Sequence, residues 1–304
     1  MIINFGGGRM QGEMQMQKPT INYKTKKGKI EKVSRVINYF LLIVLALVFA
    51  FPFLWMIATA LKLPTEVYTI PPKLIPETIT WDNFIQGWQY ADFTRYTWNT
   101  FVVTTLAVIG TVISASFVAY GFARFKSRFS GLLFIIVLGT MMLPNQVLLI
   151  PTYILFSKIG WLDTLAPLIV PSFFGGGAFN IFLLRQFFRT IPKELDQAAL
   201  IDGANSFQIF YKILLPALAP ALITVAVLSV AFHWNDFMNP LIYLNSDQNF
   251  TLALGLQFFQ NSYGSSQVQM LMAVSLITVI PLLILFFIGQ KYFVQGITMS
   301  GLKG

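Results

Sequence analysis

Long apolar segments alternate with shorter polar connections along most of this 304-residue chain. A helix needs about 20 mostly apolar residues to cross the hydrocarbon core of a bilayer. The segments that reach this length are 37–61, 98–123, 131–150, 165–187, 213–237 and 270–289. The pattern therefore predicts an all-α membrane protein with six transmembrane helices.

The first apolar segment, 37–61, is too long for the apolar core of a signal peptide. The mostly polar residues 1–36 precede it, so we interpret the segment as an uncleaved anchor. We expect three parts in the chain. They are a basic arm, 1–36; a six-span transmembrane domain, 37–293, that contains a polar hairpin, 188–216; and a tail, 294–304.

The distribution of basic residues predicts the orientation of the chain. Six spans put both termini on one side, and only four of the 21 lysine and arginine residues then fall on the other, namely Lys62, Lys73, Arg95 and Lys158. Short cytoplasmic loops carry the excess of basic residues in membrane proteins. We therefore predict a multi-pass protein of the cell membrane whose termini and hairpin 188–216 are cytoplasmic.

The composition narrows the possible chemistry. Hydrophobic residues make up 56% of the chain and charged residues 11%, whereas about a quarter of the residues of a soluble domain are charged. Cysteine is absent and His233 is the single histidine, which argues against disulfides and metal sites. The chain has no Gly-rich loop followed by Lys-Ser/Thr that would cradle ATP phosphates. We expect a non-catalytic subunit without a bound cofactor.

The polar hairpin predicts two short helices joined by a glycine turn. Thr190 is the expected N-cap of the first helix, and Gly203 supplies the positive φ that closes a helix C-terminus. Asn205 and Gln208 have the spacing of a capping box at the start of the second helix. One continuous apolar face is expected to follow, formed by Phe207, Phe210, Tyr211 and Leu214.

Within this hairpin, Gln197-Ala-Ala-x-x-Asp-Gly-Ala204 followed by Ile213-Leu-Leu-Pro216 resembles the "EAA" motif of ABC importer permeases. The chain is similar in particular to the second permease of carbohydrate importers of the maltose type. Further stretches that match this pattern are 52–56, 98–99, 234–237, 239–241, 292–296 and 301–304. The resemblance covers nearly the whole chain and implies the type I ABC importer permease architecture.

The resemblance implies a set of partners in the cell membrane of a bacterium. A second permease completes a heterodimer, two cytoplasmic ATPase subunits bind ATP and Mg²⁺, and an extracytoplasmic binding protein delivers the solute. The solute would be a carbohydrate, either an oligosaccharide or a related polyol. A helix of the hairpin would dock into a groove of an ATPase subunit and transmit its closure to the spans.

The residues that the resemblance assigns to ATPase coupling are Glu194, Asp196, Gln197, Ala198, Ala199, Asp202, Gly203, Ala204 and Phe207. The family has a glutamate where this chain has Gln197, although Glu194 and Asp196 lie beside it. We expect the small residues and the glycine turn to set the docking shape, and the charged contact to be altered. In the family the tail also reaches the ATPases, which implicates Gly301, Leu302, Lys303 and Gly304.

Four residues near the outer end of the fifth span have the chemistry of a sugar path: Trp234, Asn235, Asp236 and Asn239. Aromatic rings stack on sugars, and amides bind hydroxyl groups. The alternative is that they form an interfacial belt and a helix cap. His233 is expected to bond a neighbouring helix, and the glycine run 175–177 to loosen the fourth span or permit close packing. The outer loop 245–269 has no basic residue and could receive the binding protein.

Three other functions stay open at this point. An ABC permease for another solute, such as glycerol phosphate, would have the same motif. An ion-coupled carrier or channel is disfavoured because the spans contain almost no ionisable residues. A membrane scaffold that recruits a soluble partner through the hairpin without transport is a third possibility.

Overall fold

The computed structural model describes residues 23–263 and 267–301, with side chains described for 34–261 and 267–290. The α-helices among these residues are α1 (Tyr23–Ala60), α2 (Pro64–Val67), α3 (Asp82–Tyr90), α4 (Phe93–Arg124), α5 (Ser130–Gly139), α6 (Asn145–Lys158), α7 (Ala166–Ile169), α8 (Ala178–Thr190), α9 (Glu194–Ile201), α10 (Ser206–Gln208), α11 (Leu215–Ala217), α12 (Ala219–Trp234), α13 (Met238–Tyr243), α14 (Leu252–Tyr263) and α15 (Val268–Gly301). Short 3-10 turns cover Thr140–Met142, Val170–Phe173 and Asp247–Asn249, and a π-helix covers Ile209–Leu214. No strand occurs among these residues, so the described part of the chain is all-α.

Two compact units divide the chain, Met1–Leu54 and Trp55–Gly304. In the first unit the described residues belong to α1, whose bulky apolar side chains from Val36 to Phe53 lie on all sides of the helix and are exposed. A helix that is apolar all round belongs in a bilayer rather than in water. The second unit contains the remaining helices and the packed core.

Four helical stretches are long and apolar enough to cross a membrane: Ser34–Ala60, Phe93–Arg124, Ala166–Thr190 and Val268–Gln290. Two sharply bent pairs bring the number to six if each pair is one span: Ser130–Met142 with Asn145–Lys158, at 99°, and Ser206–Ala217 with Ala219–Trp234, at 78°. Each of the six predicted segments thus has a helical counterpart among the described residues. The third extends beyond its expected end.

Proline explains both bends. Pro144 disfavours the helical conformation at the residue before it, and Leu143 is extended, with ψ 118°. In the second pair, Pro220 lacks the N–H that would bond the carbonyl of Pro216, and the chain turns at Leu218 between them. The positions of the prolines therefore decide where these two spans break.

The long helix α4 is the centre of the second unit and packs against α3, α7, α8, α12 and α14. Its buried stripe contains many small residues, among them Ala107, Gly110, Ala115 and Ala119. Small residues let helix backbones approach closely, which favours helix association in membranes. One hydrophobic cluster surrounds the N-terminal end of α4 and a second surrounds its C-terminal end.

The glycine run 175–177 interrupts the fourth span before α8. All three glycines have positive φ, at 98°, 65° and 87°. A Cβ atom on Gly176 would lie 2.5 Å from the carbonyl oxygen of Thr111 and 2.9 Å from Cβ of Ala115. The run therefore both breaks the helix and permits close packing on α4, which are the two effects expected of it.

Candidate coupling hairpin and polar cavity

The turn of the hairpin ends α9 in a defined way. Gly203 has φ 81°, its N–H donates to the carbonyl of Leu200 at 3.1 Å, and the N–H of Ala204 donates to the carbonyl of Ala199 at 2.9 Å. These two bonds make a Schellman motif, which satisfies the last carbonyls of a helix and requires positive φ at one residue. The prediction for Gly203 is confirmed.

The second helix of the hairpin begins as expected. The N–H of Asn205 donates to Oε1 of Gln208, and the N–H of Gln208 donates to Oδ1 of Asn205, both at 2.9 Å. The capping box is confirmed, and it fixes the direction in which the chain leaves the turn.

The prediction that Thr190 caps α9 is wrong. Thr190 is the last residue of α8, and its hydroxyl donates to the carbonyl of Phe187 at 2.8 Å. Ile191, in extended conformation, precedes Pro192, and α9 begins only at Glu194, after Lys193. The residue before a proline avoids helical conformation, so the break lies later than the capping signal indicates.

The predicted continuous apolar face after the turn is divided. Phe210 and Leu214 are buried in the cluster at the C-terminal end of α4, whereas Phe207 and Tyr211 are exposed. The π-helix Ile209–Leu214 widens the helical turn here and spreads side chains that an α-helix would align. The spacing of apolar residues in the sequence does not indicate this wider turn.

Three polar contacts hold the hairpin to the C-terminal end of α4. Nε of Arg124 forms an ion pair with Oδ2 of Asp196 at 2.7 Å, and Nη2 of Arg124 donates to the carbonyl of Ile191 at 3.0 Å. The hydroxyl of Tyr120 donates to the carbonyl of Ser206 at 3.0 Å. Burial raises the pKa of the Asp196 carboxyl, although the charges of Arg124 and Lys193 oppose the shift.

The packing of the hairpin buries some of the nine residues predicted for ATPase coupling and leaves the others exposed. Ala199 is buried, Asp196 and Ala204 are half-buried, and the exposed ones are Glu194, Gln197, Ala198, Asp202, Gly203 and Phe207. Beside them the apolar Leu200 and Ile201 are 55% and 87% exposed. The exposed face therefore combines small residues, apolar side chains and few charges, and the carboxylate of Asp196 turns inward to Arg124. The sequence reasoning had not singled out Arg124 or Tyr120.

A cavity of about 280 Å³ lies between α6, the stretch 167–172 and the end of α12. Of the four residues predicted for a sugar path, Asp236 and Asn239 line it. The carboxylate of Asp236 also accepts from the N–H of Asn239 at 3.3 Å and from its amide nitrogen at 2.8 Å. Asp236 therefore caps α13 and faces the cavity as well, so the two interpretations of this residue are compatible.

Trp234 and Asn235 do not line this cavity. Trp234 is buried in the cluster at the N-terminal end of α4, and its indole N–H donates to the carbonyl of Thr278 at 3.1 Å. Asn235 is exposed, and its amide donates to the carbonyl of Ala231 one turn earlier, at 2.8 Å. Successive residues on a helix end point in different directions, so four neighbours could not all face one cavity.

Other polar side chains complete the cavity wall and were missed from the sequence: Asn145, Thr152, Ser172 and Tyr243. The hydroxyls of Thr152 and Tyr243 lie 2.8 Å apart and bond each other. His233 also faces the cavity, where it contacts the ring of Phe232 edge-to-face rather than bonding another helix in the described structure. The available signal was a polar residue at 145, inside the apolar segment 131–150, and another at 152, just after it.

The contact predicted for the tail lies mostly outside the described residues. Gly301 is the last described residue of α15, and Leu302, Lys303 and Gly304 lie outside the described residues. Among the residues that the structure does describe, no cluster of three or more histidine or acidic side chains could hold a metal ion.

Residues 112–299 match the model of the family described as "Binding-protein-dependent transport system inner membrane component". The helices of membrane-spanning length agree with an inner membrane component. The chain belongs to this family.

Known relatives cover most of the chain. It is 34% identical to the "Probable ABC transporter permease protein YurM" of Bacillus subtilis, with 84% of each chain covered. It is also 34% identical to the "Arabinooligosaccharides transport system permease protein AraQ" of Halalkalibacterium halodurans, covering 90% of this chain and 99% of that protein. Identity to the "Trehalose/maltose transport system permease protein MalG" of Thermococcus litoralis is 31%, again over 90% and 99%.

A solved structure shares the fold. A chain of a bacterial ABC transporter involved in the import of the acidic polysaccharide alginate superposes with a TM-score of 0.76 at 24% identity. The match covers 86% of this chain and 97% of that chain. The architecture is therefore that of an ABC importer permease.

Proposed function

We propose that this chain is the transmembrane permease subunit of an ATP-driven, binding-protein-dependent carbohydrate importer. The observation that carries the proposal is the hairpin 188–216, which is fixed to α4 on one face and presents Leu200 and Ile201 on the other. Exposed apolar side chains beside small residues suit a groove on a partner protein. In this proposal the hairpin passes the motion of a cytoplasmic ATPase to the spans, which alternate between two openings.

The partners follow from the same proposal. A second permease completes a heterodimer, and two ATPase subunits bind ATP and Mg²⁺, so this chain itself catalyses no reaction and binds no cofactor. Both termini and the hairpin are cytoplasmic, as the basic residues indicate. An extracytoplasmic binding protein docks on the outer loops, including the exposed Asn245, Asp247 and Gln248. Residues 301–304 of the tail make a second ATPase contact in this proposal.

A carbohydrate is the solute that the cavity and the relatives favour. The wall of the cavity offers hydroxyl and amide groups from Thr152, Tyr243 and Asn239, and such groups bind sugar hydroxyls. Relatives are named for arabinooligosaccharides and for trehalose and maltose. We infer an oligosaccharide or a related polyol, with Asp236 and Asn239 on its path.

The exchange of glutamate for Gln197 alters the ATPase contact in this proposal. Asp196 cannot replace the missing carboxylate because it is paired with Arg124 inside the chain. Glu194 is exposed and remains the nearest carboxylate for an ATPase arginine. Shape and apolar contact then supply most of the docking.

The test is reconstitution of the complex with its own ATPase, partner permease and binding protein. We expect the ATPase to co-purify, the sugar-loaded binding protein to stimulate ATP hydrolysis, and labelled neutral oligosaccharide to enter proteoliposomes. Ile201→Asp should lower ATPase co-purification, because it places a charge in the apolar contact, whereas Ile70→Asp, at an exposed outer position, should not. A complex that binds ATPase but never transports would contradict the proposal and favour a scaffold.

A further inference from the structure

We propose that α4 is a strut that joins the binding-protein docking segment 245–252 to the coupling hairpin, with Tyr96 and Asn99 as positioning residues. The inference rests on the proposed function and adds a route within it. It assigns to one helix the task of relaying the docking of the binding protein to the ATPase side. Four observations carry it.

The N-terminal end of α4 is bonded to the docking segment by three side chains on one face. The hydroxyl of Tyr96 bonds the carboxylate of Asp247, and the amide of Asn99 donates to the carbonyls of Gln248 at 3.0 Å and Phe250 at 2.9 Å. The hydroxyl of Thr100 accepts from the N–H of Leu252 at 2.7 Å. These spacings, i, i+3 and i+4, place all three side chains on the same side of a helix.

The docking segment is held from its other side by Asp163, in the connection between α6 and α7. Its carboxylate accepts from the N–H groups of Asn245 at 2.9 Å and Ser246 at 2.8 Å, and also from the Ser246 hydroxyl. These hydrogen bonds hold the pKa of Asp163 well below its usual range. Asp163 itself has φ 58°, a left-handed conformation that costs free energy and persists only where the surrounding contacts impose it. A segment fixed on both sides passes a displacement on rather than absorbing it.

The helix between the two ends is continuous. α4 has 32 residues and contains no proline. Among the described candidate spans, α1 contains Pro52 and α15 contains Pro281, and the other three are bent or interrupted by glycine. An unbroken helix of this length spans about 48 Å. Within the described residues, α4 is thus the span best suited to move as one body.

The C-terminal end of α4 holds the hairpin. Arg124 binds Asp196 and the carbonyl of Ile191, and Tyr120 binds the carbonyl of Ser206. Both helices of the hairpin are therefore attached to the helix that carries the docking segment at its other end. Movement of either surface displaces the other through α4.

The experiment measures ATP hydrolysis by the reconstituted complex while its sugar-loaded binding protein is titrated. Tyr96→Phe removes one hydroxyl and keeps the ring that packs on Phe93 and Phe250. We expect maximal stimulation to fall by about threefold or more, because a hydrogen bond to a charged group is lost. Basal hydrolysis should stay unchanged, and the half-saturating concentration of binding protein should stay within about twofold. Asn99→Leu should act in the same way. Tyr153→Phe, at an exposed tyrosine on α6, is the control.

A double variant tests whether both ends lie on one route. Tyr120→Phe removes the bond to Ser206 at the hairpin end. If α4 is the route, the double variant Tyr96→Phe/Tyr120→Phe should lose little more stimulation than the stronger single variant, whereas independent effects would multiply.

Wild-type maximal stimulation in Tyr96→Phe and Asn99→Leu overturns the strut, as does a parallel loss of basal hydrolysis, which indicates general damage. A wild-type complex without any stimulation by its binding protein would instead overturn the proposed function. The two failures are therefore distinguishable.

Discussion

Arg124 attaches the hairpin to α4 at two points. It pairs with Asp196 and also donates to the carbonyl of Ile191, so one side chain holds both the loop before α9 and α9 itself. A buried ion pair adds little net stability compared with apolar packing, yet removal of one partner leaves a charge uncompensated. The carboxylate of Asp196 is therefore tolerable only while Arg124 faces it.

Arg124→Gln should destabilise the hairpin in a pH-dependent way. Burial already raises the pKa of Asp196, and loss of the opposing arginine should raise it further. A raised pKa means that ionisation costs stability as pH rises through it. We expect protection of the hairpin from protease to fall by about 3 kcal/mol at neutral pH and to recover partly on acidification. Arg128→Gln, at an exposed arginine of the same connection, is the control. A loss that does not depend on pH would contradict this account.

Gly203 offers a second test on a single residue. Valine has a high cost at its φ of 81°, because Cβ meets the backbone in the left-handed region. Gly203→Val should lower solute uptake by about tenfold or more while membrane insertion is retained, since about 1–2 kcal/mol of strain falls on the turn of the coupling hairpin. Gly160→Val carries similar strain, at φ 72°, in the connection before Asp163 and should retain uptake better. Equal uptake in the two variants would refute a special role for the hairpin turn.

The helices themselves were largely predictable from the sequence, whereas their breaks were less so. Each of the six apolar stretches has a helical counterpart. Gly203, Asn205 and Gln208 act on residues nearby in the chain, so local sequence signals were enough to predict what they do. The π-helix Ile209–Leu214 depends on how Phe210 and Leu214 pack against α4, which no local spacing reveals. The wrong cap at Thr190 has a different cause, because a local signal, the adjacent Ile191-Pro192 pair, outweighed it.

Close packing of the glycine run on α4 leads to a prediction for these elements. Gly176→Ala would put Cβ 2.5 Å from the carbonyl oxygen of Thr111, whereas at Gly177 the nearest atom, the amide nitrogen of Asn180, is 3.7 Å away. Both positions have positive φ, so alanine strains the backbone at each of them in addition to any steric contact. We expect Gly176→Ala to be less stable than Gly177→Ala by about 1–3 kcal/mol, the usual cost of overpacking. Thermal unfolding in detergent measures the difference, and equal melting temperatures would contradict the close contact.

For the whole molecule, composition and basic residues were enough to identify a membrane protein and to predict its orientation. The sequence could not predict that Trp234 and Asn235 lie outside the cavity wall, because this depends on which helices surround the end of α12. The roles of Arg124 and Tyr120 were hidden for the same reason: their partners lie more than 60 residues away along the chain.

The absence of cysteine permits a direct test of orientation. Ile201→Cys and Gln248→Cys each introduce a single thiol at an exposed position, on the hairpin and on the docking segment. A membrane-impermeant maleimide should label the first only in inside-out vesicles and the second only in right-side-out vesicles. The reverse pattern would place the hairpin outside and exclude ATPase coupling.

An unbroken α4 has a geometric consequence for the amount of movement the transporter needs. A tilt of about 5° over a rod of about 48 Å shifts one end by about 4 Å relative to the other. That distance is comparable to the size of a hydroxyl group with its hydrogen-bonding partner. A tilt of a few degrees at the hairpin end of α4 therefore displaces the docking segment by more than the length of one hydrogen bond.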